Sequence, residues 1–229
     1  MILSDDCFVR DTCVKCKRGQ CPQNSFCVKL FKLDRLYEEG MISNTQRRHI
    51  NLRTDIDGTD REQFGLLKSI GDNIEQFVEQ GKNLYIYSSN CGNGKTSWAL
   101  RLVQNYIDSI WYKTDIRCRA MFISVPKFFI MLKDNISTRN EYIAHIKQNV
   151  TDCDLVVWDD IGTKVGTEFE IENLLNIIDN RLCNGKSNIY TSNMDPIQLN
   201  ERVGDRLYSR IVNLSTNICF KGMDKRGLN

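Results

Sequence analysis

The feature that most constrains this chain is a polar loop, SSNCGNGKT (88–96), lying between a short apolar run, NLYIYSS (83–89), and a longer stretch with apolar residues at helical spacing, TSWALRLVQNYIDSI (96–110). A strand that turns through glycines directly into a helix aims backbone N–H groups and the positive end of the helix at one point, which makes a site for an anion. Gly92, Gly94, Lys95 and Thr96 follow the phosphate-loop pattern G-x-x-x-x-G-K-[ST], in which the lysine reaches the β and γ phosphates of a nucleotide and the hydroxyl ligates Mg2+. The predicted ATP contacts are Asn90, Cys91, Gly92, Asn93, Gly94, Lys95, Thr96 and Ser97. Ser89 departs from the pattern, which has glycine there.

Such a loop needs a sheet behind it, and the rest of the chain supplies one. Strands are predicted at 83–89, 119–125, 154–160, 187–193 and 217–222, and helices at 61–81, 96–110, 126–134, 140–150, 168–182 and 196–211. Strands alternating with helices give an α/β protein with a parallel sheet covered on both faces, because parallel neighbours need a crossover connection. A chain of 229 residues, 41% hydrophobic and 26% charged, is large enough for one such domain plus a small appendage, and its composition excludes disorder.

A second motif accompanies the loop. DLVVWDD (154–160) is an apolar strand ending in two acids, the form of a Walker B strand. Asp159 is expected to hold Mg2+ through water, with Asp160 polarising the attacking water. Many enzymes of this kind carry glutamate at the second position; the shorter Asp160 sets the base further back and predicts slow hydrolysis of ATP to ADP and phosphate. Further on, SNIYTSN ends at Asn193, a polar side chain able to orient water near the γ-phosphate. In NERVGDRLYSRI, Arg202, Arg206 and Arg210 recur every four residues, on one face of the predicted helix. Arginines on a helix surface are commonly just solvated, but one late in a nucleotide domain can complete a neighbouring subunit's site.

The N-terminus is compositionally separate. Five of the ten cysteines, Cys7, Cys13, Cys16, Cys21 and Cys27, fall in the first 27 residues. Cys13, Cys16, Cys21 and Cys27 can supply four thiolates to a zinc ion around which a segment without its own core could fold; reduced free thiols or an iron-sulfur cluster are the alternatives, and Cys7 could replace any of the four. His49 and His145 lack ligand-like spacing to this cluster and are read as surface residues. The organisation is therefore a Cys-rich segment at 1–45, a polar, partly basic linker at 46–60 and an ATP-binding domain at 61–229. Acidic residues near the start, where a signal peptide would be basic, and no apolar run of bilayer length predict a cytoplasmic protein. A formal net charge of +2 means that any nucleic-acid contact must rest on a local basic strip.

NLYIYSSNCGNGKTSWAL, DLVVWDDIG, IYTSNMD, ERVGDRLYSRI and CFKGMDKR, in that order from about Arg61 to Arg226, resemble successive motifs of the DnaC and DnaI helicase loaders, most closely their short phage and mobile-element members; the IstB transposition helper is similar too. The resemblance implies a AAA+ core of five parallel strands without a C-terminal helical lid, ATP and Mg2+ as ligands, and self-assembly through nucleotide-bridged interfaces. It puts Asn193 at the sensor 1 position, Arg206 at the arginine-finger position acting in trans, with Arg210 as runner-up, and Arg226 at the sensor 2 position. The implied partners are a hexameric replicative helicase, met by the N-terminal segment, and single-stranded DNA, and the bacterial cell or phage-infected host is the implied setting. DNA-facing residues are expected in VPKFFIMLKDNISTRNEYIAHIKQNV, where Lys127, Lys133, Arg139 and Lys147 stand beside aromatics; Phe128, Phe129 and Met131 themselves read more readily as core than as DNA contacts. Two other functions share this core: a transposition helper, and a nucleotide-gated binding module without turnover.

Overall fold

The computed structural model describes residues 25–48, 52, 58–137, 140–163 and 166–225. Five strands form one parallel sheet: β1 (Asn83–Tyr87), β2 (Ala120–Ser124), β3 (Leu155–Asp159), β4 (Ser187–Ser192) and β5 (Thr216–Cys219). Their spatial order is β2-β3-β4-β1-β5. β4 thus lies between the strand that feeds the phosphate loop and the strand that ends in the acid pair, with Tyr87 opposite Ser192 and Trp158 opposite Tyr190.

Alternation along the strands sends side chains to two separate cores. Leu84, Ile86, Phe122, Leu155, Val157, Ile189 and Ile218 pack on one face. Over them lie α1 (Ser25–Glu39), α3 (Arg61–Asp72), α4 (Ile74–Glu79) and α5 (Lys95–Ile110). The short α2 (Asn44–Arg48) follows α1. On the opposite face Tyr85, Met121, Ile123, Val156, Trp158 and Tyr190 meet α6 (Val125–Ser137), α7 (Glu141–Asp152), α8 (Glu168–Cys183) and α9 (Pro196–Val203). Burying one such side chain contributes about 1.5–3 kcal/mol, so both faces need their helices.

Helix starts coincide with capping chemistry. Thr167 and Glu170 form a reciprocal capping box at α8, Asp195 and Gln198 do the same at α9 with Pro196 in the first turn, and the Asn140 side chain accepts from the Tyr142 N–H at α7. Two predicted helices are interrupted. The stretch 61–81 divides at Asn73 into α3 and α4. The stretch 196–211 breaks at Gly204, whose φ of 80° and ψ of 160° are not helical, into α9, the single turn α10 (Asp205–Tyr208) and a π-helical turn at Ser209–Asn213. Arg202, Arg206 and Arg210 therefore do not share one helical face, because the glycine resets the rotation between the first and the second. Phe220 to Lys225 follow β5 without helix. No helix among the described residues is long and apolar enough to cross a membrane.

Candidate nucleotide site

The loop after β1 is shaped by its own polar side chains. Buried Ser88 accepts from the Asn90 N–H (3.0 Å) and from the Asn93 side-chain amide (2.7 Å). Gly92 and Gly94 have φ of 71° and 101°, conformations that cost other residues strain. Ser89 is not among the residues with positive φ, so serine stands where the pattern has glycine without a backbone penalty. The Lys95 side chain is 6% exposed and folds back to donate to the Asn90 carbonyl (2.8 Å) and to Asn93 Oδ1 (3.2 Å). Neutral oxygens thus hold a cation at the start of α5 in a position from which an anion could take it.

β3 delivers the acids to the same end of the sheet. Asp159 is 7% exposed, and burial pushes its carboxyl up to about 6; the Asp160 charge adds to this, while the Thr191 and Thr96 hydroxyls and Lys95 oppose it. The Thr191 hydroxyl donates to Asp159 Oδ1 (2.7 Å) and accepts the Asp160 N–H (3.0 Å), so one β4 side chain fixes both acids. Asp160 adopts φ 60°, a left-handed conformation that aspartate tolerates better than most residues and that turns the chain sharply at the strand end. The Thr96 hydroxyl beside a buried carboxylate, with a second acid adjacent, is an oxygen-rich donor set suited to Mg2+.

The other predicted site residues are placed as follows. Asn193 lies directly beyond β4, half-buried, and borders a cavity of about 630 Å3 with Met194, Gln198, Glu201 and Arg202. Arg206 is exposed and has no ion pair among the described residues. Arg210 is bound to Asp179, which ties it to α8. Arg226, Cys13, Cys16 and Cys21 lie outside the described residues, as do Cys7, Arg139 and His49; Cys27 is on α1. No cluster of possible metal ligands occurs among the described residues. Phe128 and Phe129 are buried core, whereas Lys127 is exposed and Lys133 pairs with Glu170 (3.3 Å). His145 is on the surface, paired with Glu39.

Two residues that periodicity did not single out matter here. Thr191 is one, because its role depends on strand order, which no local pattern reveals. Asp60, at the end of the predicted linker, is the other. It is completely buried and accepts the N–H groups of Lys221 (2.7 Å) and Gly222 (2.9 Å).

A glycine-turned loop with an inward lysine, entered from a parallel strand and faced by two acids on a strand once removed, defines a phosphate-loop nucleotide-binding protein of the α/β class. The family model of the bacterial DnaA ATPase domain matches residues 64–216, two thirds of the chain, and the chain belongs to that family. Its fold is that of solved AAA+ proteins. The DnaC helicase loader superposes with a TM-score of 0.63 at 19% identity, over 78% of this chain and 100% of that one. A putative primosome component from Streptococcus pyogenes gives 0.61 at 21% identity, over 84% and 98%. AMPPCP-bound DnaA from Aquifex aeolicus gives 0.57 at 20% identity, over 72% of this chain and 48% of that one, so this chain spans about half of that protein. No curated protein matches.

Proposed function

We propose that this protein binds ATP with Mg2+ in the loop at Asn90–Ser97 and acts in DNA replication by loading a hexameric replicative helicase onto DNA, its assembly state switched by the nucleotide. Lys95 would exchange its bonds to Asn90 and Asn93 for phosphate oxygens, and the backbone N–H groups of the loop would surround them. Thr96 and, through water, Asp159 would hold the Mg2+, which neutralises the β and γ oxygens when bound. Asp160 is assigned the water, with Asn193 orienting it and Arg226 reaching the same nucleotide. Arg206 is assigned to a neighbouring subunit's nucleotide. The observation that supports this reading is the superposition over the whole of the DnaC loader chain, combined with Lys95, Thr96 and the acids Asp159 and Asp160 at one end of the sheet. The Cys-rich segment is assigned to helicase docking, single-stranded DNA to the assembled form, and the cytoplasm to the whole. If Cys13, Cys16, Cys21 and Cys27 hold zinc, metal analysis of protein purified without chelator reads about one zinc per chain.

The test is capture on immobilised wild type and Lys95→Ala, with and without ATP, using host extract and then purified partners. Recovery of a hexameric helicase by wild type only with ATP, reproduced with the purified helicase, is the expected result. Recovery of a transposase would move the protein to the transposition helpers. A second reading, a nucleotide-gated module without turnover, is favoured by the short Asp160 side chain; phosphate release at or below the level of a Lys95→Ala control would establish it.

A further inference from the structure

Asp60 immediately precedes α3, where an aspartate ordinarily caps its own helix, but its side chain makes no such bond. Instead the buried carboxylate reaches across the molecule to accept the N–H groups of Lys221 and Gly222. The carbonyls of the same two residues accept from the side-chain amide of Asn90, each at 3.2 Å. One short length of chain beyond β5 is thus gripped from two sides, by Asp60 and by the phosphate loop. Three residues on, the Lys225 N–H donates to the Gly92 carbonyl (3.0 Å). The fit is close at both ends. A Cβ on Gly222 would stand 2.6 Å from Asp60 Oδ2, and one on Gly92 would stand 1.7 Å from Asp224 Oδ1.

The consequence for the loop follows from peptide geometry. In a trans peptide unit the carbonyl of one residue and the N–H of the next point in opposite directions. A Gly92 carbonyl held by Lys225 therefore keeps the Asn93 N–H turned the other way, away from the chain end. Backbone N–H groups converging in this fashion make the anion hollow of a phosphate loop. Asn90 extends the linkage, since its carbonyl accepts from Lys95 Nζ. We propose that Asp60 is a positioning residue for the nucleotide site, clamping Lys221–Lys225 against the phosphate loop so that the Gly92 carbonyl stays engaged outside and the Asn93 N–H stays available to phosphate. This rests on the nucleotide-binding reading above.

The experiment compares the full-length wild type with Asp60→Asn and Gly222→Ala by calorimetric titration with MgATP, together with hydrogen exchange of the loop peptide. Asp60→Asn keeps the shape but replaces a charge-assisted acceptor with a group that presents one oxygen and an N–H2 to two backbone donors. Gly222→Ala keeps the carboxylate and displaces the strap. Both variants are expected to bind MgATP roughly tenfold more weakly, and nucleotide is expected to slow exchange of the loop amides in wild type but much less in either variant at saturation. A merely structural role would lower the melting temperature of the nucleotide-free protein without altering exchange of the saturated loop. Wild-type affinity in a folded variant, or full loop protection at saturation in both, overturns the proposal. If wild type itself binds no nucleotide, the fault lies with the functional reading and not with Asp60.

Discussion

The two ends of the sheet both bury charge, and they treat it differently. At the N-terminal ends of the strands, Arg181 is completely buried and is met by fixed acceptors: the Val150 carbonyl (2.6 Å), the Cys153 carbonyl (2.9 Å), the Ser187 carbonyl (2.6 Å) and Asn188 Oδ1 (2.7 Å). Asn188 in turn accepts from Trp158 Nε1 and donates to Asn83 Oδ1, which ties β3, β4 and β1 together. At the C-terminal ends, Asp159 is buried with its carboxyl pushed up, and Lys95, whose charge opposes that shift, donates to the Asn90 carbonyl and Asn93 Oδ1 of its own loop. A buried charge saturated by backbone oxygens is a fastener. A buried charge left partly uncompensated is a place that a ligand can complete.

The largest effect is expected at the fastener. Arg181→Met removes these bonds and takes a donor from the buried carbonyls of Val150, Cys153 and Ser187, each costing about 1–3 kcal/mol. A loss of several kcal/mol, read as a fall in denaturation midpoint or as insoluble protein, is expected, with nucleotide affinity of any folded fraction unchanged. A well-folded Arg181→Met protein would erase the contrast between the two ends.

Asp159 should behave in the opposite sense. Because its folded-state carboxyl titrates at about 6, above its ordinary range, the folded protein holds this proton longer than the unfolded chain does. Its contribution to stability is therefore fully present below the unfolded value, near 4, and is lost as pH rises through about 6, a change of about 3 kcal/mol. In EDTA, without nucleotide, Asp159→Asn is expected to be more stable than wild type at pH 7.5 by an amount of this order, and equal to it near pH 4. The same substitution should abolish the Mg2+ dependence of ATP binding. Chemical denaturation at the two pH values, with and without Mg2+ and ATP, checks both statements. Equal stability at pH 7.5 would mean that Asp159 carries no burden at the site.

Lys95→Ala belongs next. Its loss takes a donor from the Asn90 carbonyl and from the buried Asn93 Oδ1, so a stability change of about 1–3 kcal/mol is expected, with ATP binding lost. Unchanged nucleotide affinity would remove the phosphate-loop assignment.

These contrasts also explain what was legible beforehand. The sheet was readable because the buried strands β1, β2 and β3 show up as short apolar runs and strands alternate regularly with helices, and the predicted strands agree with β1 to β5 to within a few residues. The loop and the acid pair were readable because their chemistry is carried by neighbours in sequence. Asn73 and Gly204 interrupt helices that periodicity joined, since apolar spacing resumes after each break in nearly the same phase. Thr191, Asp60 and Arg181 were beyond local reading for a shared reason. Each acts on residues far away in the chain, and a threonine in a strand, an aspartate before a helix and an arginine in a helix's last turn all have ordinary local explanations.

Arg206 is expected to show the smallest effect in the isolated chain and the most discriminating one in an assembly. It sits on the single turn α10, exposed and unpaired among the described residues, whereas Arg210 is committed to Asp179. An exposed arginine without a carboxylate partner adds little to its own fold, so Arg206→Ala should leave the denaturation midpoint within about 0.5 kcal/mol of wild type and the monomer's ATP affinity unchanged. If it reaches a neighbouring subunit's γ-phosphate, the loss appears only where subunits meet, as reduced ATP-dependent assembly in sedimentation and reduced phosphate release. Arg210→Ala makes the converse control, because removing it frees Asp179 and should cost stability before it alters assembly. A fall in monomer affinity for Arg206→Ala would make Arg206 a ligand within its own subunit, and a normal assembly would return it to the solvated surface.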